Sequence, residues 1–202
     1  MWLYPLTTFN QKFHAISCTL LLTLCVFCES ASAKEIIAKL YGKTIYREDI
    51  DGANKSLNSL IIPALYKRFS EQNHIVVTES EIKAFNKKFE AFNPKEELAN
   101  SSTTLQERKI MHDLAQAMVL NWKINKALYK KYGGDVIFQQ ANPLEPIGAE
   151  RQFLQEQEKA GSFQILDAQE HTKFFNYYLQ SHHSFIIPPS KVNYDIPWWE
   201  QK

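Results

Sequence analysis

The sequence predicts a mainly α-helical protein with a small N-terminal β-hairpin and a mixed, aromatic-rich C-terminal extension. Three observations predict it. Thr78-Glu79-Ser80-Glu81 is a capping box, and Ile82, Phe85, Phe89 and Phe92 follow it on one helical face. Residues 105 to 132 carry apolar side chains at helical spacing without a break. Near the N-terminus, Gly42-Lys43 separates two short extended segments, EIIAKLY and TIY, in the manner of a hairpin.

The first 33 of the 202 residues read as a removable address. The uncharged run from Ala15 to Cys28 is too short to span a bilayer comfortably. Ala31-Ser32-Ala33 behind it is a small-x-small site of the kind signal peptidase cleaves. The competing reading is a retained membrane anchor. Cleavage after Ala33 leaves residues 34–202, enough for one ordinary domain or two small ones. All three cysteines lie in the leader, so the mature chain has no disulfide, no thiol nucleophile and no cysteine-held metal. Lys12 and Glu29 leave with it, and the net charge stays at +1. That balance argues against nucleic acid or an anionic membrane surface as the main partner. With no second long apolar run, the expectation is a periplasmic or secreted protein without a stable membrane span.

After the hairpin, Leu57, Leu60, Ile61, Ala64, Leu65 and Phe69 predict a helix over 56–72. Pro63 either restarts that helix or kinks it. Ile75-Val76-Val77 is extended and leads into the capped helix, which ends before Asn93-Pro94. NSSTT, residues 100–104, is a polar loop and a second cap. The long helix has one stripe at Ile110, Leu114, Ala117, Met118, Ile124, Leu128 and Tyr132. A second set at Met111, Ala115, Val119, Trp122 and Tyr129 widens its apolar surface, so burial on two sides is expected. Gly133-Gly134 ends it. Beyond lie a strand-like Val136-Ile137-Phe138, a helix from Ile147 to Ala160, an extended Phe163–Leu166 and a helix capped by Asp167. The tail SFIIPPSKVNYDIPWWEQK is excluded from regular helix by its prolines.

A hairpin reading A-x3-G-x2-I-x3-D, an amphipathic helix, then an extended V-T-x-x-E-I helix start form a pattern. Here it is Ala38, Gly42, Ile45 and Asp49, then Leu60 and Leu65, then Val77, Thr78, Glu81 and Ile82. It resembles the N-terminal helical domain of SurA-type periplasmic chaperones and parvulin-type prolyl isomerases. The resemblance covers roughly residues 35 to 92, with the helix to Tyr132 as its continuation. Tyr41 stands where the family places asparagine. The resemblance implies a helical domain over 34–134, with residues 135–202 as an extension packed on it. It implies a cradle for unfolded or extended polypeptides, outer-membrane proteins among them. The remainder after Gly134 is short for a parvulin domain and lacks its usual opening, a histidine-bearing strand followed by an alanine-rich helix.

No nucleotide-binding glycine loop, dinucleotide fingerprint or nucleophile elbow occurs. His74, His112, His171, His182 and His183 show no metal-ligand spacing and read as solvated or capping groups. Glu96-Glu97 lie in an apparent loop. Lys126, Lys130 and Lys131 near the helix end complement its dipole. No cofactor, metal or catalytic residue is expected. Asn54 and Asn100 sit in glycosylation sequons, which matter only in a eukaryotic secretory pathway. The aromatic side chains are the better candidates. Phe85, Phe89 and Phe92 repeat at helical spacing and read first as core. Tyr66, Phe69, Phe85, Phe89, Trp122, Tyr129, Trp198 and Trp199 together are the candidate peptide-binding set, since aromatic surfaces between helices suit sequence-tolerant binding. Trp198-Trp199 either clamp the tail onto the domain or reach a partner.

Three functions stay open on the sequence: a chaperone-like binder of extended polypeptide, a minimal or degenerate prolyl isomerase, and an envelope-assembly factor with one dedicated protein partner.

Overall fold

The computed structural model describes residues 34–52, 55–92, 104–140 and 142–201. The leader and its cleavage motif, Asn93-Pro94, Glu96-Glu97 and both sequon asparagines lie outside them, as does the side chain of Phe89. Within them the chain is mainly helical with one small antiparallel sheet. Strands β1 (Ile36–Leu40) and β2 (Lys43–Tyr46) form the expected hairpin. Its turn is Tyr41-Gly42, one residue earlier than the sequence suggests, with φ of 49° and 78°. Positive φ at both turn positions matches the twist of the strands, and glycine takes it freely while tyrosine does not.

The hairpin feeds α1 (Glu48–Asp51), then α2 (Leu57–Gln72). Pro63 neither restarts nor ends α2. Its missing N–H frees the Ser59 carbonyl, and both residues lie on the exposed side, where water takes over. Helix α3 (Glu79–Phe92) begins as expected: the Thr78 N–H donates to Glu81 Oε2 at 2.7 Å, and the Glu81 N–H returns to Thr78 Oγ1 at 3.3 Å. Helix α4 (Leu105–Tyr132) carries a second box, with Thr104 and Glu107 exchanging the same pair of bonds. Gly133 stops it at φ 66°.

Helix α5 (Ile147–Lys159), strand β3 (Phe163–Ile165) and α6 (Ala168–Leu179) follow, the last capped by Asp167 as predicted. Three short 3-10 turns, at His183–Phe185, Pro189–Lys191 and Trp198–Glu200, shape the tail. Val136-Ile137-Phe138 is not a strand, but Ile137 bridges both Glu145 and Ile186.

Sheet order is β2-β1-β3, so β1 is central. β3 comes from beyond Gly134 yet pairs with the N-terminal hairpin, Ala38 facing Ile165 and Leu40 facing Phe163. One face of the sheet carries Ala38, Ile45, Phe163 and Ile165 into the main core, with Ile61, Leu65, Leu128, Phe153 and Phe174. Arg47 ties the N-terminal hairpin to the start of α6 from outside. Its guanidinium meets Glu35 at 2.6 Å, Asp167 at 2.5 Å and Glu170 at 3.5 Å. Where α4 ends and α5 begins, Gly134 and Gly148 touch backbone to backbone. A Cβ on Gly148 would stand 2.6 Å from the Asp135 nitrogen.

Candidate functional site

The aromatic candidates divide among three clusters. Tyr66 and Phe69 both pack on Phe153, at 6.0 and 5.3 Å between ring centres, and belong to the main core. Tyr129 lies over Tyr194 at 4.9 Å, in a small cluster with Val136 and Leu144. Phe85, Trp122, Trp198 and Trp199 do converge. α3 brings Ile82 and Phe85; α4 brings Ala115, Val119 and Trp122; the tail closes the seat with Trp199. The sequence supplies this seat through spacing: Ile82 and Phe85 share one face of α3, and Ala115, Val119 and Trp122 one face of α4.

Trp199 stands edge-on to Phe85 at 5.1 Å and to Trp122 at 5.6 Å. Trp198 rests on Phe85 at 6.1 Å and on Trp199 at 5.4 Å. Such edge-to-face pairs add about 0.5–1.5 kcal/mol each beyond the area they bury. Trp199 is 6% exposed and Trp198 half-buried, so the tail is docked on α3 and α4 by its rings. The Nε1 donors of Trp122 and Trp199 are nevertheless buried with no acceptor among the described residues. An unpaired buried donor costs about 1–3 kcal/mol. Lys126 sits 5.3 Å over the Trp122 ring at the rim.

Next to this seat, α4 overhangs the core. Ile110, Met111 and Leu114 are 57%, 44% and 50% exposed, whereas Leu128, two heptads beyond Leu114 on the same stripe, is fully buried. The stripe read from the sequence is therefore covered along the second half of α4 and open along the first. Met118, one turn after Leu114, packs on the aromatic cluster and joins the open strip to it.

A second constellation was missed at the sequence level. Glu145 and Glu150, on either side of the Pro146 turn, meet inside the protein and hydrogen-bond to each other. Burial, then the charge of Glu145, pushes the Glu150 carboxyl up to about 8. Burial also raises Glu145, although Tyr177 donates to it at 2.7 Å. Gln139 in turn donates to the Tyr177 hydroxyl at 3.1 Å, and His182 Nε2 to the Tyr177 carbonyl at 2.7 Å. Two enclosed carboxyls side by side favour a proton held between them, with Tyr66 beside Glu150. Only its i, i+5 spacing around a proline was visible beforehand. At 4% exposure Glu150 is closed to a substrate, so the pair acts as a polar strut within the core.

The cleft beside it, lined by Asp135, Arg151, Tyr178, His182 and His183, holds about 240 Å³. That is less than a drug-sized ligand needs. Among the described residues no group of three or more His, Cys, Asp or Glu could hold a metal ion, and no helix is long and apolar enough to cross a membrane. No family model, curated protein or solved structure matches the chain.

Proposed function

We propose that the protein is a chaperone-like binder of unfolded or extended polypeptides, outer-membrane proteins among them, acting in the periplasm or outside the cell. The carrying observation is the open apolar strip Ile110-Met111-Leu114, continuous through Met118 with the aromatic seat of Phe85 and Trp122. An apolar strip beside an aromatic cluster holds chains through area rather than sequence. The resemblance of residues 35 to 92 to the helical domain of SurA-type chaperones supports the same reading. No covalent chemistry is required.

The test is light scattering from an unfolded outer-membrane protein diluted into buffer with and without the purified chain. A prolyl-isomerisation assay on the same preparation runs beside it. Suppression of aggregation without isomerisation is expected. The Ile110→Ser/Leu114→Ser variant should lose at least about threefold in suppression while its Tm moves by about 2 °C or less, because exposed positions carry little stability. Undiminished suppression by that variant would take the strip out of the argument. Isomerisation by the wild-type chain would favour the enzyme reading instead.

A further inference from the structure

We propose that residues 195–201 are a displaceable plug, which withholds the aromatic seat between α3 and α4 until a captured polypeptide replaces it. This rests on the chaperone-like reading above.

The first support is how the segment is attached. Its hydrogen bonds run within the tail: Gln201 Nε2 donates to the carbonyls of Asn193 at 2.9 Å and Ile196 at 2.8 Å, and the Glu200 N–H to Pro197 at 2.8 Å. Among the described residues no hydrogen bond joins 196–201 to α3 or α4. An ion pair, Lys126 to Asp195 at 3.9 Å, reaches across, and the Asp195 side chain is 97% exposed. The segment is therefore folded on itself and docked by its rings. Leaving the seat costs it ring contacts, that ion pair and its bonds to Asn193 on the pinned side, but no hydrogen bond to α3 or α4.

The second support is the chemistry left unmet. Trp122 Nε1 in the seat and Trp199 Nε1 in the plug are both buried without an acceptor among the described residues. A polypeptide main chain brings a carbonyl with every residue and can pair a donor that the tail's rings cannot. The seat is thus better matched to an incoming main chain than to its resident occupant in this one respect.

The third is position. Tyr194 is 7% exposed, donates to the Leu144 carbonyl at 2.8 Å and lies on Tyr129, so the tail is pinned just before the plug. Residues beyond it can swing from a fixed point. The strip at Ile110, Met111 and Leu114 leads through Met118 into the seat, so a chain caught on the strip arrives beside the plug.

The experiment uses a fluorescein-labelled peptide of residues 194–202 and reads anisotropy against the wild-type chain and the Trp198→Ala/Trp199→Ala variant. At least tenfold tighter binding by the variant is expected, because its seat is vacated. Equal binding by the two proteins, or none by either, overturns the proposal. If the variant loses cooperative unfolding, a protease site inserted after Asp195 decides. Exchange of the nicked tail for labelled peptide, with the fold retained, supports the plug. A nicked tail that stays bound through gel filtration, or a chain that unfolds on losing it, overturns the plug. Aggregation suppression is measured on the same proteins. Suppression by the wild type with equal peptide binding sinks the plug and leaves the chaperone-like reading standing. Peptide binding gained without suppression by either protein sinks the reading on which the plug depends.

Discussion

Replacing Glu150 by glutamine should flatten the dependence of stability on pH. The carboxyl is enclosed beside Glu145 and keeps its proton up to about pH 8, whereas in the unfolded chain it ionises near 4.5. Between those values the folded state holds a proton that the unfolded state has released. Stability from this group is complete below pH 4.5 and is lost as pH rises toward 8. The slope is about 1.4 kcal/mol per pH unit. From pH 5 to pH 7 the loss is about 3 kcal/mol, or about 8 °C in Tm for a chain of this size. Glutamine keeps the geometry without the proton. Its amide can donate to Glu145 as the protonated acid does, and its carbonyl can accept from Tyr66. Urea unfolding of both proteins at pH 5, 6, 7 and 8 is the assay. The wild-type midpoint should fall steadily, and that of Glu150→Gln should fall far less. Parallel curves would refute the shared proton.

The Arg47 cluster should show the opposite sign. Glu35 is held low first by its hydrogen bond from Arg47, and Asp167 first by the Glu170 N–H it caps, with Arg47 adding to it. Their stabilisation is present above the ordinary carboxylate range and is lost as pH falls through the lowered values. Arg47→Met should lower Tm at pH 7, and a thermal-melt series toward pH 2 should show the gap to wild type closing. Gly148→Ala should cost about 1–3 kcal/mol or more by denaturant titration, since its methyl would meet backbone that cannot swing aside. Thr78→Ala should cost about 0.5–2 kcal/mol by the same measurement, through loss of the α3 cap. A neutral result there would mean the box is carried by Glu81 alone.

Helices were legible because their signals are local. Thr78 with Glu81, Asp167 before Gln169 and Glu170, and Gly133 after Tyr132 each sit within a few residues of what they bond. The hairpin was legible for the same reason. Hidden from the sequence was whatever depended on distant segments. Nothing around Phe163–Ile165 names β1 as its partner, and nothing in Pro146 and its neighbours says that Glu145 and Glu150 turn inward together. The aromatic set shows the same limit. Periodicity marked Phe85 and Trp122 as facing something, but only the fold separates Tyr66 and Phe69, which meet Phe153, from Phe85 and Trp122, which meet the tail. The exposed half of α4 has the same apolar spacing as its buried half, so periodicity could not say where the core ends.

The central place of β1 bears on how the chain comes into being. Its neighbour β2 follows after a two-residue turn, but its other neighbour is made only after α2, α3, α4 and α5. Until Ile165 reaches Ala38, one side of the first strand is a bare edge, of the sort that recruits stray strands. Contacts between such distant segments also form slowly. A newly made copy thus passes through an interval of adhesiveness, and for that interval it has the same needs as the polypeptides it is proposed to hold.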